Sequence, residues 1–228
     1  MILMEHPLFM DYGPIPGIAI FAVLMAVSGG FFSYQVIKAT RLVRLGKPDN
    51  RFDNWGARIS EVITGWLGQK KVLKDRVAGG IHVMMFWGFL MLSTDMFDLA
   101  TGNWFSHNLL PEVINGPWNI MVEFGYFIAF IGCTLALIRR IIFTPEKLKG
   151  KSQLEGNAIL MLIMTITTTA FVVEAGESGV SKTWEPIGYW VAQTIIPSTT
   201  MVVVAYWAHM LAIATFLFLI PVSKHMHL

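Results

Sequence analysis

The sequence predicts an all-α membrane protein of five transmembrane helices, with its N-terminus outside and its C-terminus cytoplasmic. Three observations carry that expectation. Of the 228 residues, 54% are hydrophobic and 14% are charged, whereas soluble domains carry roughly 25% charged residues. Five apolar stretches each come near the roughly 20 residues that a helix needs to cross a bilayer. Apart from Lys182, every Lys and Arg falls after the first stretch, after the third, or at the C-terminus. The positive-inside rule places those segments on the cytoplasmic side of a bacterial or archaeal membrane.

The elements follow in order, as one domain over residues 1–228 without internal repeats. Met1 to Pro14 holds no Lys or Arg, and the first span, 15–36, is followed by Lys38, Arg41, Arg44 and Lys47. With its basic residues behind it and no basic leader, this span reads as retained and not as a signal peptide. The cytoplasmic connection, 38–76, contains Ile59, Val62, Ile63, Trp66 and Leu67 at helical spacing. It is therefore an amphipathic helix that either lies on the membrane surface or packs on the bundle.

The second span, 77–99, opens with Arg76-Val-Ala-Gly-Gly-Ile-His82 and leads to an outer loop with Trp104, His107, Pro111 and Trp118. The third, 120–138, ends on Arg139-Arg140, and a basic turn with Lys147, Lys149 and Lys151 leads to the fourth, 158–173. A second outer loop, 174–198, carries Trp184, Tyr189 and Trp190, which suit the aromatic belt of a bilayer surface. The fifth span, 199–221, continues into Ser223-Lys-His-Met-His-Leu228.

The one cysteine, Cys133, lies inside the third span. A single thiol excludes an internal disulfide, a four-cysteine iron–sulfur cluster and a C-x-x-C-H haem attachment, so such chemistry belongs to a partner. Histidine offers more. His209 sits deep in the fifth span, with His225 and His227 at its basic end. His209 and His227 are separated by five whole turns, roughly 27 Å, with both imidazoles on one face. Ionisable side chains at such depth are costly and functional by default.

An opposing ligand is available in His82, about two turns from the basic end of the second span. Gly79, Gly80 and Gly88 near it would let a flat macrocycle approach the backbone, although small residues also serve plain helix packing. Arg76 and Lys224, at the basic ends of spans two and five, could pair with haem propionates. An iron held by two imidazoles is closed to substrates and suited to moving electrons, so the residues read as a b-type cytochrome. The plain alternative is a buried histidine that only hydrogen-bonds a neighbouring helix. Zinc is disfavoured, because no carboxylate or thiol accompanies the set.

Carboxylates mark the other face. Asp95, Asp98, Glu123 and Glu174 fall near the outer boundary, and intramembrane carboxylates can accept and release protons. Asp95 and Glu123 are the deeper pair and the candidates for a quinone or proton-exit site. Asp98 and Glu174 are expected to be simply interfacial.

The run from His209 to His227, with its Pro-Val-Ser-Lys before His225, resembles the last helix of the respiratory nitrate reductase gamma-subunit family. The five-span layout is similar throughout, while likeness at residue level is concentrated in spans two and five. The resemblance implies two b haems, with His227 on the cytoplasmic-side iron, His209 on the outer one, and His82 paired with His227. The family's second histidine on that helix would fall where Leu92 stands, so His209 lacks its expected partner. Three options stay open: no outer haem, an atypical outer ligand, or one haem shared by His82 and His209.

Within that family, Arg76 to Phe89 (Arg-x-x-x-x-x-His-x-x-x-Phe-x-Gly-Phe) and the Ser-Lys-His-x-His end are most similar to a narrower group. These are the small cytochrome b subunits accompanying heterodisulfide-reductase-like iron–sulfur proteins, as in the high-molecular-weight cytochrome c complex of sulfate reducers. The resemblance implies one or two haem b groups, a cytoplasmic iron–sulfur partner on the basic loops, and a quinone such as menaquinone or a periplasmic multihaem cytochrome c as redox partner. It implies other membrane subunits of a respiratory complex and no nucleic acid. The chain would be an electron-transfer subunit and not a catalyst alone. A haem-free anchor for soluble redox subunits is the alternative. A transporter finds no support, because no inverted repeat or broken pair of helices is evident.

Overall fold

The computed structural model describes residues 6–47, 53–95, 112–143, 151–176 and 180–223. Within these it is almost wholly helical. The elements are β1 (Asp11–Tyr12), β2 (Ile15–Pro16), α1 (Gly17–Val43), α2 (Trp55–Glu61), α3 (Arg76–Leu92), α4 (Glu112–Ile142), α5 (Lys151–Gly176), α6 (Pro186–Ile195) and α7 (Thr199–Leu219). A π-helical turn, Val62–Leu67, continues α2, and short 3-10 turns precede α3 and follow α7.

Four helices among the described residues are long and apolar enough to cross a membrane: α1, most of α4, most of α5, and α7 with its following turn. The second expected span appears as the shorter apolar helix α3, which ends at Leu92, and 96–99 of its expected range lie outside the described residues. This is a multi-pass membrane protein.

The helices overrun the sequence-based spans. The first reaches Val43, and the third runs from Glu112 to Ile142. Hydropathy marks only the lipid-buried part, whereas Lys, Arg and Glu are good helix formers that carry the same helix into the headgroup layer. Two elements were not anticipated. A two-residue hairpin, β1–β2, turns at Gly13, whose φ of 68° is open to glycine without strain. The connection 174–198 contains α6, which starts on Pro186 at its first turn.

Side-chain contacts give the helix directions. Gly88 of α3 meets Ala129 of α4, and Gly132 meets Met85, so these helices are antiparallel. Tyr126 of α4 packs on Phe171 of α5, and Arg140 bonds Asn157 near their other ends. Along the α5–α7 pair, Gly176 lies on Val202 and Thr169 on His209, again antiparallel. In contrast, α1 runs parallel to α7: Phe21 clusters with Tyr206 and Met210, and Phe31 lies on Phe218. Helices α1, α4 and α7 thus run in one sense and α3 and α5 in the other.

Packing inside lipid relies on close approach more than on water exclusion, because lipid tails are as apolar as leucine. The α3–α4 crossing shows this. A Cβ on Gly88 would stand 2.6 Å from the Ala129 nitrogen, and one on Gly125 would stand 2.6 Å from the Met91 Cβ. The central core joins Leu92, Val122, Tyr126, Ala129, Ile166 and Phe216 from four helices. At the end of the bundle where α1 and α7 begin, the N-terminal segment folds back over both helices. Leu8 is fully buried, and Tyr12 packs edge-on against Trp207.

Candidate functional site: a histidine seam and an outer carboxylate cluster

Asp75 caps α3 by accepting hydrogen bonds from the N–H groups of Val77 and Ala78 at 3.2 and 3.0 Å. The helix starts there and presents Arg76, exposed, in its first turn. Partly buried His82 follows one and a half turns later. Gly79 is closed by the 72–74 turn, since a Cβ there would lie 2.9 Å from the Leu73 Cα, and Gly88 is closed by α4. Only Gly80 of the three has open space beside it. Gly79 and Gly88 thus serve helix packing.

Phe89 of α3 and Phe216 of α7 lie with ring centroids 5.5 Å apart. Otherwise these two helices make little close backbone contact, because α3 packs chiefly on α4 and α7 on α5 and α1. His82 and Phe89 are seven residues apart, as are His209 and Phe216, a spacing that keeps each pair within about 20° on its helix. Both histidines therefore lie on the stripes whose phenylalanines meet across an α3–α7 seam. The straight helix expected to carry this stripe on to His227 is not what forms: α7 ends at Leu219 and passes through a 3-10 turn to an extended Ser223, and His227 lies outside the described residues.

His82 and His209 do not come together. From the Phe89–Phe216 level they are displaced in opposite directions by seven residues each, or roughly 20 Å in all. Side chains lean toward their helix N-termini, so this is an upper figure. The rungs through α4 and α5 (Gly88 on Ala129, Tyr126 on Phe171, Thr169 on His209) set His209 near the level of Phe89. That leaves an axial offset of about 10 Å. Both figures far exceed the about 4 Å between two imidazole nitrogens on opposite sides of one metal, at about 2 Å per bond. This offset disfavours one haem shared by His82 and His209.

His209 is 5% exposed. Its Nδ1 lies 2.9 Å from the Ile166 carbonyl oxygen and 3.0 Å from Thr169 Oγ1. A carbonyl only accepts, so Nδ1 carries the proton and donates. Thr169 Oγ1 is engaged with the Thr165 carbonyl at 2.6 Å as donor and is free to accept from the ring. The tautomer is thereby fixed with the Nε2 lone pair uncommitted to this network. Metal-binding histidines are held in this manner, the second nitrogen donating to a carbonyl or carboxylate.

The outer cluster is built around the N-terminus of α6. Glu123 is 3% exposed, and its Oε1 accepts from the Gly188 N–H. The Ile187 N–H and the Glu174 carboxyl also face it. The Glu174 oxygens lie so close to Gly188 that a Cβ there would stand 2.7 Å from them. Glu185 accepts from Asn119 Nδ2 at 2.9 Å and from the Ser181 N–H at 2.8 Å. Free amides and the dipole of a helix start favour negative charge there. Asp95 accepts from the Tyr126 hydroxyl at 2.8 Å. By the same rungs, the Glu123–Glu174 pair lies five residues, about 7 Å, from His209 toward the start of α7.

Several expected residues fall outside the described ones: Lys224, His225 and His227, the outer-loop His107, and Asp98. Several participants were not anticipated. Thr169 and the Ile166 carbonyl orient His209, Tyr126 holds Asp95, and Gly188 holds Glu123. The seven-residue spacing of each histidine from its phenylalanine was readable in advance, whereas the partners on other helices were not.

No family model matches the chain, and no solved structure matches it. Two curated relatives do. The first, 27% identical over 228 aligned residues, is the "Probable iron-sulfur-binding oxidoreductase FadF" of Bacillus subtilis strain 168. The second, 26% identical over 232, is the "EtfAB:quinone oxidoreductase" of Syntrophomonas wolfei subsp. wolfei. The alignments cover 92% and 90% of this chain and 31% of each relative, so the chain spans about a third of their length. The similarity is thus to oxidoreductases, one named for iron–sulfur binding and one for a quinone.

Proposed function

We propose that this chain is the haem b-bearing membrane subunit of a respiratory oxidoreductase, carrying electrons between a quinone pool or a periplasmic cytochrome c and a cytoplasmic iron–sulfur protein. The single observation that carries the reading is His209, buried in a membrane helix with its Nδ1 proton donated to the Ile166 carbonyl. That arrangement suits an axial ligand through Nε2. The residues fit a haem in a second respect: α3 and α7 leave their backbones apart along a seam that bears His82, His209 and the two phenylalanines.

Bound haem would supply one-electron transfer. His82 and His227 would hold it on the basic side, with His225 beside them and Arg76 and Lys224 toward its propionates. His209 would hold a second haem on the outer side. Thr169 and Ile166 keep the His209 ring from rotating, and the apolar core around it excludes water. The basic segments 38–76 and 139–151 offer an iron–sulfur partner its docking charge on the cytoplasmic side, with the N-terminus outside. The relatives' names, one iron–sulfur and one quinone, agree with these two ends of the path. Glu123 and Asp95, on the outer side with Glu174, would take up protons from a quinol such as menaquinol.

A pyridine haemochrome assay on the purified full chain tests this, repeated with His82→Ala and His209→Ala. Haem b that falls in each variant supports the reading. No haem in the unmodified protein overturns it and leaves a haem-free anchor.

A further inference from the structure

The connection before α3 carries an apolar face that the bundle does not cover. Trp55, Ile59, Val62, Ile63 and Trp66 recur at helical spacing along α2 and its π-helical continuation, and they are 58%, 53%, 50%, 55% and 44% exposed. In a loop facing water such a stripe is unfavourable, at roughly 25 cal/mol per Å² of apolar surface. The opposite face carries Arg58, Ser60, Glu61 and Thr64.

One contact fixes how deep this stripe lies. The Trp66 ring packs edge-on against Phe86 at 5.5 Å. Phe86 is ten residues beyond Arg76, about 15 Å along α3, and its ring leans back toward the helix start. Trp66 therefore stands beside α3 well inside the level where that helix begins. The chain returns from there through Gln69, which is 6% exposed, holds a left-handed φ of 50° and donates from Nε2 to the Trp66 carbonyl. The 72–74 turn then lies against Gly79. Exposed Lys70, Lys71, Lys74 and Arg76 gather where the chain re-emerges, with Lys71 near Glu61 at 3.6 Å.

The geometry points to residues 55–67 as an in-plane membrane helix. Its Trp55–Trp66 stripe is sunk among the acyl chains of the leaflet on the basic side, and Lys70, Lys71 and Lys74 hold anionic headgroups. Two tryptophans at the ends of the stripe suit the interface, an immersion of about 5–10 Å is usual for such helices, and clustered cations beside one bind anionic lipid. A protein partner would have to enter the same depth of the bilayer to cover the stripe, so lipid is the occupant the contact with Phe86 favours.

The test uses the full chain in proteoliposomes of phosphatidylethanolamine and phosphatidylglycerol. A nitroxide is placed by Ile59→Cys or by Ser60→Cys, each in a Cys133→Ala background. At Ile59 oxygen collisions should exceed those of a water-soluble nickel chelate several-fold, with the reverse at Ser60. A chelate-accessible Ile59 label, or one immobile and shielded from both reagents as under a docked protein, overturns the proposal. Brominated lipid provides a readout without cysteine exchange. It should quench the unmodified chain more than the Trp55→Phe/Trp66→Phe variant, and equal quenched intensity overturns the acyl contact. For the headgroups, detergent-purified protein should retain phosphatidylglycerol in native mass spectra, several-fold less in Lys70→Gln/Lys74→Gln. Equal retention overturns that half.

Discussion

His209 donates its Nδ1 proton to the carbonyl oxygen of Ile166, 2.9 Å away on the neighbouring helix. The bond crosses from α7 to α5 in the middle of the apolar core, where an unsatisfied ring N–H would cost about 1–3 kcal/mol. It turns a costly side chain into an oriented one. Thr169 adds a second acceptor, so the ring is gripped from one helical turn of α5.

Thr169→Val removes the second acceptor while leaving the Ile166 carbonyl in place. If His209 holds a haem as proposed, that haem should remain but bind more weakly, by about 10-fold, the lower end for a lost outer-shell partner. Its midpoint potential should move as well. Haem titration into the apo form and redox titration check both; an unchanged potential and affinity would show that Thr169 has no orienting part.

The depth offset between His82 and His209 predicts independent losses. If the chain holds two haems as proposed, each His→Ala variant should remove a different one, with a distinct midpoint potential surviving in each. If the same potential disappears from both, the two residues serve one iron and the offset between α3 and α7 is wrong.

Glu123→Gln preserves the shape of the side chain and an oxygen that can accept from the Gly188 N–H. Folding should therefore change little, while reduction of the haem by a quinol slows by about 100-fold or more if the carboxylate handles its proton. Stopped-flow reduction by menaquinol analogues measures this, with dithionite reduction as the control. Unaltered quinol kinetics would leave Glu123 as a purely structural partner of α6.

Gly88→Val forces a branched side chain into the backbone of Ala129, which cannot retreat because α3 and α4 cross there. Overpacking of this kind costs about 1–3 kcal/mol, so detergent-purified protein should unfold at lower temperature. Gly80→Ala, beside open space, should not. A tolerated Gly88→Val would mean that the crossing is looser than the geometry implies.

What could be read in the residues alone is set by the bilayer, which imposes length and apolarity on whatever crosses it. The first, third, fourth and fifth spans were legible for that reason, as was the charge asymmetry, whereas the face expected to be shared by His209 and His227 runs past the end of α7 at Leu219 and out of the described residues. The helix ends were less legible, because lipid does not police residues such as Arg41 or Arg140 beyond the hydrocarbon. Helix α6 was hidden as well: ten residues with a single Pro start look like loop until Gly188 meets Glu123.

The site divides along the same line. Helical periodicity showed which residues share a stripe, since it depends only on neighbours in the chain. It could not show that His82 and His209 stand at different depths, that Thr169 and Ile166 grip His209, or that Gly79 and Gly88 are spent on packing. Those relations depend on how far one helix slides along another, and that register is set by side chains such as Phe89, Phe216, Gly125 and Gly132 meeting across helices far apart in sequence.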